Sequence, residues 1–258
     1  MDAKAQLEIV RCLLAAGARV DHVLPNWSSS SASGETALFG AVKAGNLQIV
    51  QALLAAGASA SAVESSGRTP LHVAYSLRKD DKRPADGEPL TNVDVLAIIR
   101  ALEAAGAAGA TTPRGFTLLM AAAYSGRVAL VADVLAKHPD DQAFLNARDV
   151  EGGTAVTIAA VQEFEDVLRL LLSAGADGRP ALFTAAGNYC NEAMVQLLLS
   201  AGVDGDARDE NGRTWQEVLQ GAQNRNARSE RLVKAGEHLG TAVSVVGMAN
   251  TAGCCSVQ

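Results

Sequence analysis

The chain has 258 residues, a formal net charge of −6, and 48% hydrophobic residues, yet only 4% aromatic ones. Ala and Leu carry the apolar content, which points to an all-helical chain with close helix–helix contacts. The acidic balance supplies no basic stripe to displace counterions from phosphate, so a nucleic-acid partner is excluded. No run approaches the roughly 20 apolar residues of a membrane helix, and Met1–Ala5 opens no signal-type apolar stretch.

Taken in order, the chain spells two alternating phrases. The first is Leu7-Glu-Ile-Val-Arg-Cys-Leu-Leu-Ala-Ala-Gly17, a helical face of apolar residues closed by a glycine at the position after the helix. It recurs as Leu47-Gln-Ile-Val-Gln-Ala-Leu-Leu-Ala-Ala-Gly57, around Val167–Gly175 and around Met194–Gly202. Leu54 and Leu71 are predicted to be core residues. The second phrase precedes the first. Its clearest copy is Gly67-Arg-Thr-Pro-Leu-His-Val-Ala74, with relatives starting at Gly34, Gly115 and Gly152. Each reads as a turn glycine, a Thr N-cap and a short Ala-rich helix. Pro70 falls at the first helical position, where its missing N–H costs nothing.

The step from Gly34 to Gly67 matches a repeat period of about 33 residues, and departures from that period locate insertions. One falls near Lys79–Asp94, whose charges and prolines suit a solvated loop, and one around His138–Ala143. A shortfall at Ala176–Pro180 nearly deletes one turn. The first unit starts directly at its second helix, Gln6–Ala16. Its Leu7/Val10/Leu14 edge therefore calls for further residues upstream or for a partner that covers it. The last unit, Gly212-Arg-Thr-Trp-Gln, runs into a charged helix at Asn224–Leu239, as a polar C-terminal cap would.

Together the two phrases resemble the ankyrin repeat, and Thr69-Pro70-Leu71-His72-x-Ala74 matches that family's signature in full. The resemblance covers residues 6–240. It implies an all-α solenoid over residues 1–240, of about six helix–turn–helix units with β-turn fingers. Residues 241–258 follow as an uncharged flexible tail. It also implies a structural role for His72, bonding backbone between neighbouring fingers.

No catalytic constellation accompanies the repeats. His22, His72, His138 and His238 lie in different units, and no Cys/His group has metal-ligand spacing. No phosphate or dinucleotide loop is present, so no enzyme activity, cofactor or metal is expected. The architecture that the resemblance implies places fingertips and first-helix ends along a concave groove. There Glu35, Lys43, Arg68, Arg114, Phe116, Tyr124, Gln162, Tyr189 and Arg213 are the candidate contacts to a protein partner. Phe116 and Tyr124 could equally pack against the next finger. Trp27 stands in the long polar finger Pro25-Asn-Trp-Ser-Ser-Ser-Ser, either as a partner anchor or folded back on the repeats.

The tail ends in Cys254-Cys255-Ser256-Val257-Gln258. Cys255 and the last three residues fit the C-a-a-X prenylation box, with a terminal Gln that favours farnesyl. Cys254 is the neighbouring acylation candidate, and two lipids hold a protein where one does not. Two readings stay open. One is a monomeric, non-catalytic adaptor in the cytoplasm, tethered to a membrane face by its lipidated tail. The other is a soluble targeting or substrate-receptor subunit of an enzyme complex, in which the tail is irrelevant.

Overall fold

Both phrases become helices where the sequence places them. A computed structural model describes residues 3–23, 34–81, 88–107, 109, 111–189 and 191–238. Trp27, Cys254 and Cys255 lie outside these residues. The contacts divide the chain into two compact units, Met1–Ala155 and Val156–Gln258. Arg208 and Thr214 form an isolated antiparallel bridge.

The first unit contains α1 (Ala3–Ala15), α2 (Ala37–Lys43), α3 (Leu47–Ala55), α4 (Pro70–Tyr75), α5 (Asn92–Ala104), α6 (Leu118–Ser125), α7 (Val128–Lys137) and α8 (Gln142–Leu145). Helices α2 and α3, α4 and α5, and α6 and α7 pack as pairs. The first helices α2, α4 and α6 form one layer, and the second helices α1, α3, α5 and α7 form the other. Short Ala-rich first helices permit this close layering: every residue of α4 is buried, and only Tyr124 of α6 is exposed.

Threonine caps start most first helices. The Thr69 and Thr117 hydroxyls accept from the backbone N–H of His72 and Met120. Thr36 departs from this: its hydroxyl is buried and makes no cap bond. Second helices close as expected, with Gly57 at φ +88°, a conformation that costs a β-carbon residue free energy. Leu53, not Leu54, is the buried leucine of α3; Leu54 is half-buried. The apolar phrase is one residue wider than the face that packs.

The extra residues of the α7 unit form a turn and the short α8. There Phe144 stacks on His138 at 4.1 Å, and Leu145 enters the core. The insertion before α5 is held by Arg127, the N-cap residue of α7. Its guanidinium donates to the carbonyls of Leu77 (3.0 Å), Arg78 (2.8 Å) and Leu90 (2.6 Å) and to Asn92 Oδ1 (2.8 Å).

The second unit begins within α9 (Ala155–Val161). It continues through α10 (Glu165–Ser173), α11 (Arg179–Thr184), a π-turn at Ala185–Tyr189, α12 (Glu192–Ser200) and the long α13 (Trp215–His238). The π-turn has a countable cause. In the first unit, Asn46 N–H donates to Ala41, five residues back; here Asn191 N–H donates to Ala185, six residues back. One extra residue between Leu182 and Asn191 is absorbed as a wider turn, so that Leu182 and Val195 both stay buried.

Candidate protein-binding surface

The fingers of the first unit are hairpin turns with one bond pattern. Glu64 N–H donates to Arg68 O, Thr112 N–H to Phe116 O and Asp149 N–H to Gly153 O, at 2.9–3.0 Å. They stack against one another. A Cβ on Gly67, already at φ +82°, would come within 2.4 Å of Pro113 Cδ in the next finger. Glycine is therefore required twice over. Val150 N–H donates to Arg114 O at 2.9 Å, joining the next two fingers.

His72 fixes the same boundary from below. Its Nδ1 accepts from Thr69 N–H (3.3 Å) and lies 2.9 Å from the Thr69 hydroxyl. An accepting Nδ1 puts the proton on Nε2. Nε2 is buried and faces the Phe116 backbone of the next unit, without closing a bond within hydrogen-bond distance. Burial pushes the imidazole pKa down and outweighs the opposing pull of that backbone. The ring is therefore a neutral spacer between units.

The candidate contacts fall into two places. On the finger side, Lys43 pairs with Glu35, and Arg68 pairs with the buried Glu64. Arg68 also reaches Ser66 Oγ at 3.1 Å. Burial alone would raise the Glu64 carboxyl. The Arg68 and Ser66 hydrogen bonds and the charges of Arg68 and Lys43 prevail, and hold it below the usual carboxylate range. Lys43, Glu64 and Arg68 thus form one electrostatic group across adjacent units. Farther along, exposed Arg114 meets Glu151 at 2.9 Å, and Phe116 is half-buried beside it in the chain.

Tyr124 does not join this group. It sits on the last turn of α6, the place that Lys43 holds on α2, each seven residues after its N-cap threonine, but it does not reach back toward its finger as Lys43 does to Glu35. There it is 39% exposed, and the Arg78 guanidinium lies over its ring at 5.5 Å, within the range of a cation–π contact. Gln162 is half-buried in the second unit. Arg213, also there, is exposed and bonds Asp209 through both Nε (2.9 Å) and Nη2 (2.7 Å). Tyr189 ends the π-turn of that unit.

Two groups of side chains escape sequence reasoning. One is Arg127, whose only signal is an arginine where Asn46 and Asn191 cap the equivalent helices. The other joins three helices. Tyr75 donates to Asp133 Oδ2 (2.6 Å), while Lys137 Nζ donates to Asp133 (2.7 Å), Glu103 (2.5 Å) and the Tyr75 hydroxyl (3.0 Å). Burial, with the acceptor Asp133, pushes the phenol pKa up. Burial opposes the Lys137 charge, but its three hydrogen-bond partners hold the ammonium protonated. Both groups are fully used in packing.

Paired helices joined by glycine-turn fingers define a helical repeat protein, and its fingers expose charged side chains. The chain belongs to the ankyrin-repeat family: the family model "Ankyrin repeats (3 copies)" matches residues 2–81 and 92–179, and "Ankyrin repeat" matches 177–210. The gap between the first two matches is the insertion that Arg127 holds. Among solved structures, the chain is similar to the human ASB11 ankyrin repeat domain. The two are 21% identical over 86% of this chain and 94% of that one, with a TM-score of 0.60, a likeness of fold. No curated protein matches the chain. Ankyrin repeats make it a protein–protein interaction module.

Proposed function

We propose that the chain is a non-catalytic, monomeric adaptor that grips one protein partner along the finger side of its first unit. The observation that supports this reading is the linked group of Lys43, Glu35, Glu64 and Arg68, with Arg114 and Phe116 farther along, on fingers that lock to one another. Rigid mounting lowers the entropy lost on binding, and arginine and aromatic anchors are the residue types that dominate interface energy. Tyr124 with Arg78 extends the contact toward the far end of the first helices. A mixed-sign row favours a partner with charges of both signs, and the net charge of −6 argues against nucleic acid.

The test is capture of partner proteins by wild type and by a triple variant, Arg68→Gln, Phe116→Ala and Tyr124→Ala. Gln at position 68 leaves Glu64 a donor. Loss of capture with unchanged circular dichroism is the expected result. Equal capture would move the contact to Trp27 or to the insertion at 79–94.

In the cell we place the adaptor in the cytoplasm, tethered to a membrane face through Cys255 and Cys254. The sequence feature behind this is the C-terminal box, which reads Cys-Ser-Val-Gln. The alternative, a soluble receptor subunit with an inert tail, is separated from it by the localisation experiment at the end of the Discussion.

A further inference from the structure

Two fingers are built on one bonding template, and a single residue sets the second apart chemically. In the finger of residues 149–153, Asp149 Oδ1 accepts from Glu151 N–H (2.9 Å) and Gly153 N–H (2.7 Å), while Gly152 N–H donates to Asp149 O (3.0 Å). The finger of residues 209–213 repeats this. Asp209 Oδ1 accepts from Asn211 N–H and Arg213 N–H, and Gly212 N–H donates to Asp209 O, each at 2.9 Å. The residue before the turn glycine is Ser66, Arg114, Glu151 or Asn211 in the four fingers that carry the turn. Of these, Asn211 alone bears an amide, and Asn211-Gly212 is the one Asn-Gly pair in the sequence. Asn211 is exposed, and its side chain has no hydrogen-bond partner among the described residues. A Cβ on Gly212 would meet nothing within 4 Å, so no neighbour crowds that side of the turn.

We infer that Asn211 is a site of spontaneous backbone modification, and that Asp209 is the positioning residue that holds the reaction in check in the folded chain. The nucleophile is the Gly212 backbone nitrogen, which no side chain shields. The electrophile is Asn211 Cγ. Their bond closes a succinimide ring, while the bond from Cγ to the amide nitrogen breaks and that nitrogen leaves as ammonia, taking up the proton of the Gly212 N–H. Solvent water then opens the ring. Addition at Cγ gives aspartate, and addition at the main-chain carbonyl gives isoaspartate, which routes the backbone through Cβ. Asp209 opposes the first step. Its carbonyl occupies the Gly212 N–H, and its carboxylate fixes the backbone on either side of the glycine. The Arg213 side chain and backbone N–H hold that carboxyl below the usual carboxylate range, so the acceptor is charged and its hydrogen bonds are strong. Ring closure therefore proceeds from a locally opened finger. Isoaspartate adds a main-chain carbon between Asp209 and Arg213, whose N–H···O bond (2.9 Å) closes the turn beside the Arg208–Thr214 bridge. It thereby disturbs the start of α13, where Thr214 N–H donates to Glu217 Oε2 at 2.8 Å.

The experiment incubates the full chain at mildly alkaline pH and follows residue 211 by peptide mapping, which resolves asparagine, aspartate and isoaspartate. Urea-denatured chain is expected to convert readily, and folded chain at least about tenfold more slowly, the scale of one charge-assisted hydrogen bond. Asp209→Ala should move the folded rate toward the denatured one, with circular dichroism checking that the variant is folded. If it is not, Asp209→Asn, which keeps an acceptor oxygen without the charge, replaces it with the same expected order. Asp149→Ala removes the same bonds from the other finger and should leave the rate at residue 211 unchanged. Absence of conversion in urea overturns the site. Equal rates in folded and denatured chain, equal rates for wild type and the Asp209 variant, or equal acceleration by Asp149→Ala each overturn the role of Asp209.

Discussion

Arg127 and His72 show how much can rest on one buried nitrogen group. Burial pulls the Arg127 pKa down, while Asp81, Asp94 and Asp80 oppose that effect, so the guanidinium stays charged in a nearly closed site. It donates to three carbonyls on the two sides of the insertion, of which those of Leu77 and Leu90 belong to buried residues, whereas that of Arg78 also accepts from Asp81 N–H. Arg127→Ala should therefore cost about 3 kcal/mol or more, since hydrogen bonds from a charged donor contribute about 1.5–3 kcal/mol each and orphaned carbonyls add to the loss. Urea denaturation reads this directly, and a change within about 0.5 kcal/mol, the usual span of a surface substitution, would contradict the clasp. His72 acts through its proton. Its folded pKa is lowered from an unfolded value of about 6.5, so the unfolded chain binds the proton more readily. Its contribution is fully present above about pH 6.5 and declines as pH falls from there toward the folded pKa. Denaturation midpoints at about pH 7.5 and about pH 5.5, on either side of that value, should fall for wild type and fall less for His72→Gln. The window sits above the range where the lowered carboxyls of Glu64 and Asp133 take up protons, which separates their effect from that of His72.

At the level of the helix pair, the paired positions decide which leucines hold the array. Leu53 meets α2 and is 4% exposed, whereas the adjacent Leu54 is half-buried. Leu53→Ala should cost about 2–5 kcal/mol, the range for emptying a core leucine site, and Leu54→Ala distinctly less. Thermal melts of the two variants check the order, and equal losses would contradict the assignment of the face. The repeat period, the closing glycines and the position of the insertion were all legible in sequence, because each is fixed by local chemistry: a left-handed turn, a cap, a constant spacing. The choice between Leu53 and Leu54 was not, because adjacent apolar residues both fit a helical stripe and only the partner helix selects one. The π-turn was likewise hidden. One surplus residue before Asn191 could as well have lengthened a loop, and burial of Leu182 against its neighbours put it inside the helix. On the surface, Arg68 was recognisable as a fingertip charge and Lys43 as a charge at the end of a first helix. Their coupling through Glu64 was not, since it joins residues of different repeats.

For the molecule as a whole, the proposed tether makes location the property to test. Family matches end at residue 210, so substitutions at 254 and 255 leave every matched repeat intact. Cys255 is the one thiol at the fourth position from the C-terminus, the position that the prenyl box requires. A single isoprenoid gives only marginal, reversible membrane binding, and a second lipid at Cys254 converts it to stable anchoring. The two substitutions should therefore differ. On the proposed lipidation, Cys255→Ser removes the first lipid, and with it the membrane contact that precedes acylation of Cys254, so this protein should be wholly cytosolic. On the same reading Cys254→Ser keeps the prenyl group alone and should be only partly released. Fractionation of a eukaryotic cell expressing N-terminally tagged chains, which leave Gln258 free, measures both, and an intact mass with a prenyl adduct on Cys255 identifies the modification. Identical distribution of wild type and Cys255→Ser would remove the tether and leave the soluble receptor reading. The graded order, wild type bound, Cys254→Ser partly bound and Cys255→Ser free, is the pattern that two sequential lipids require and that an inert tail does not produce.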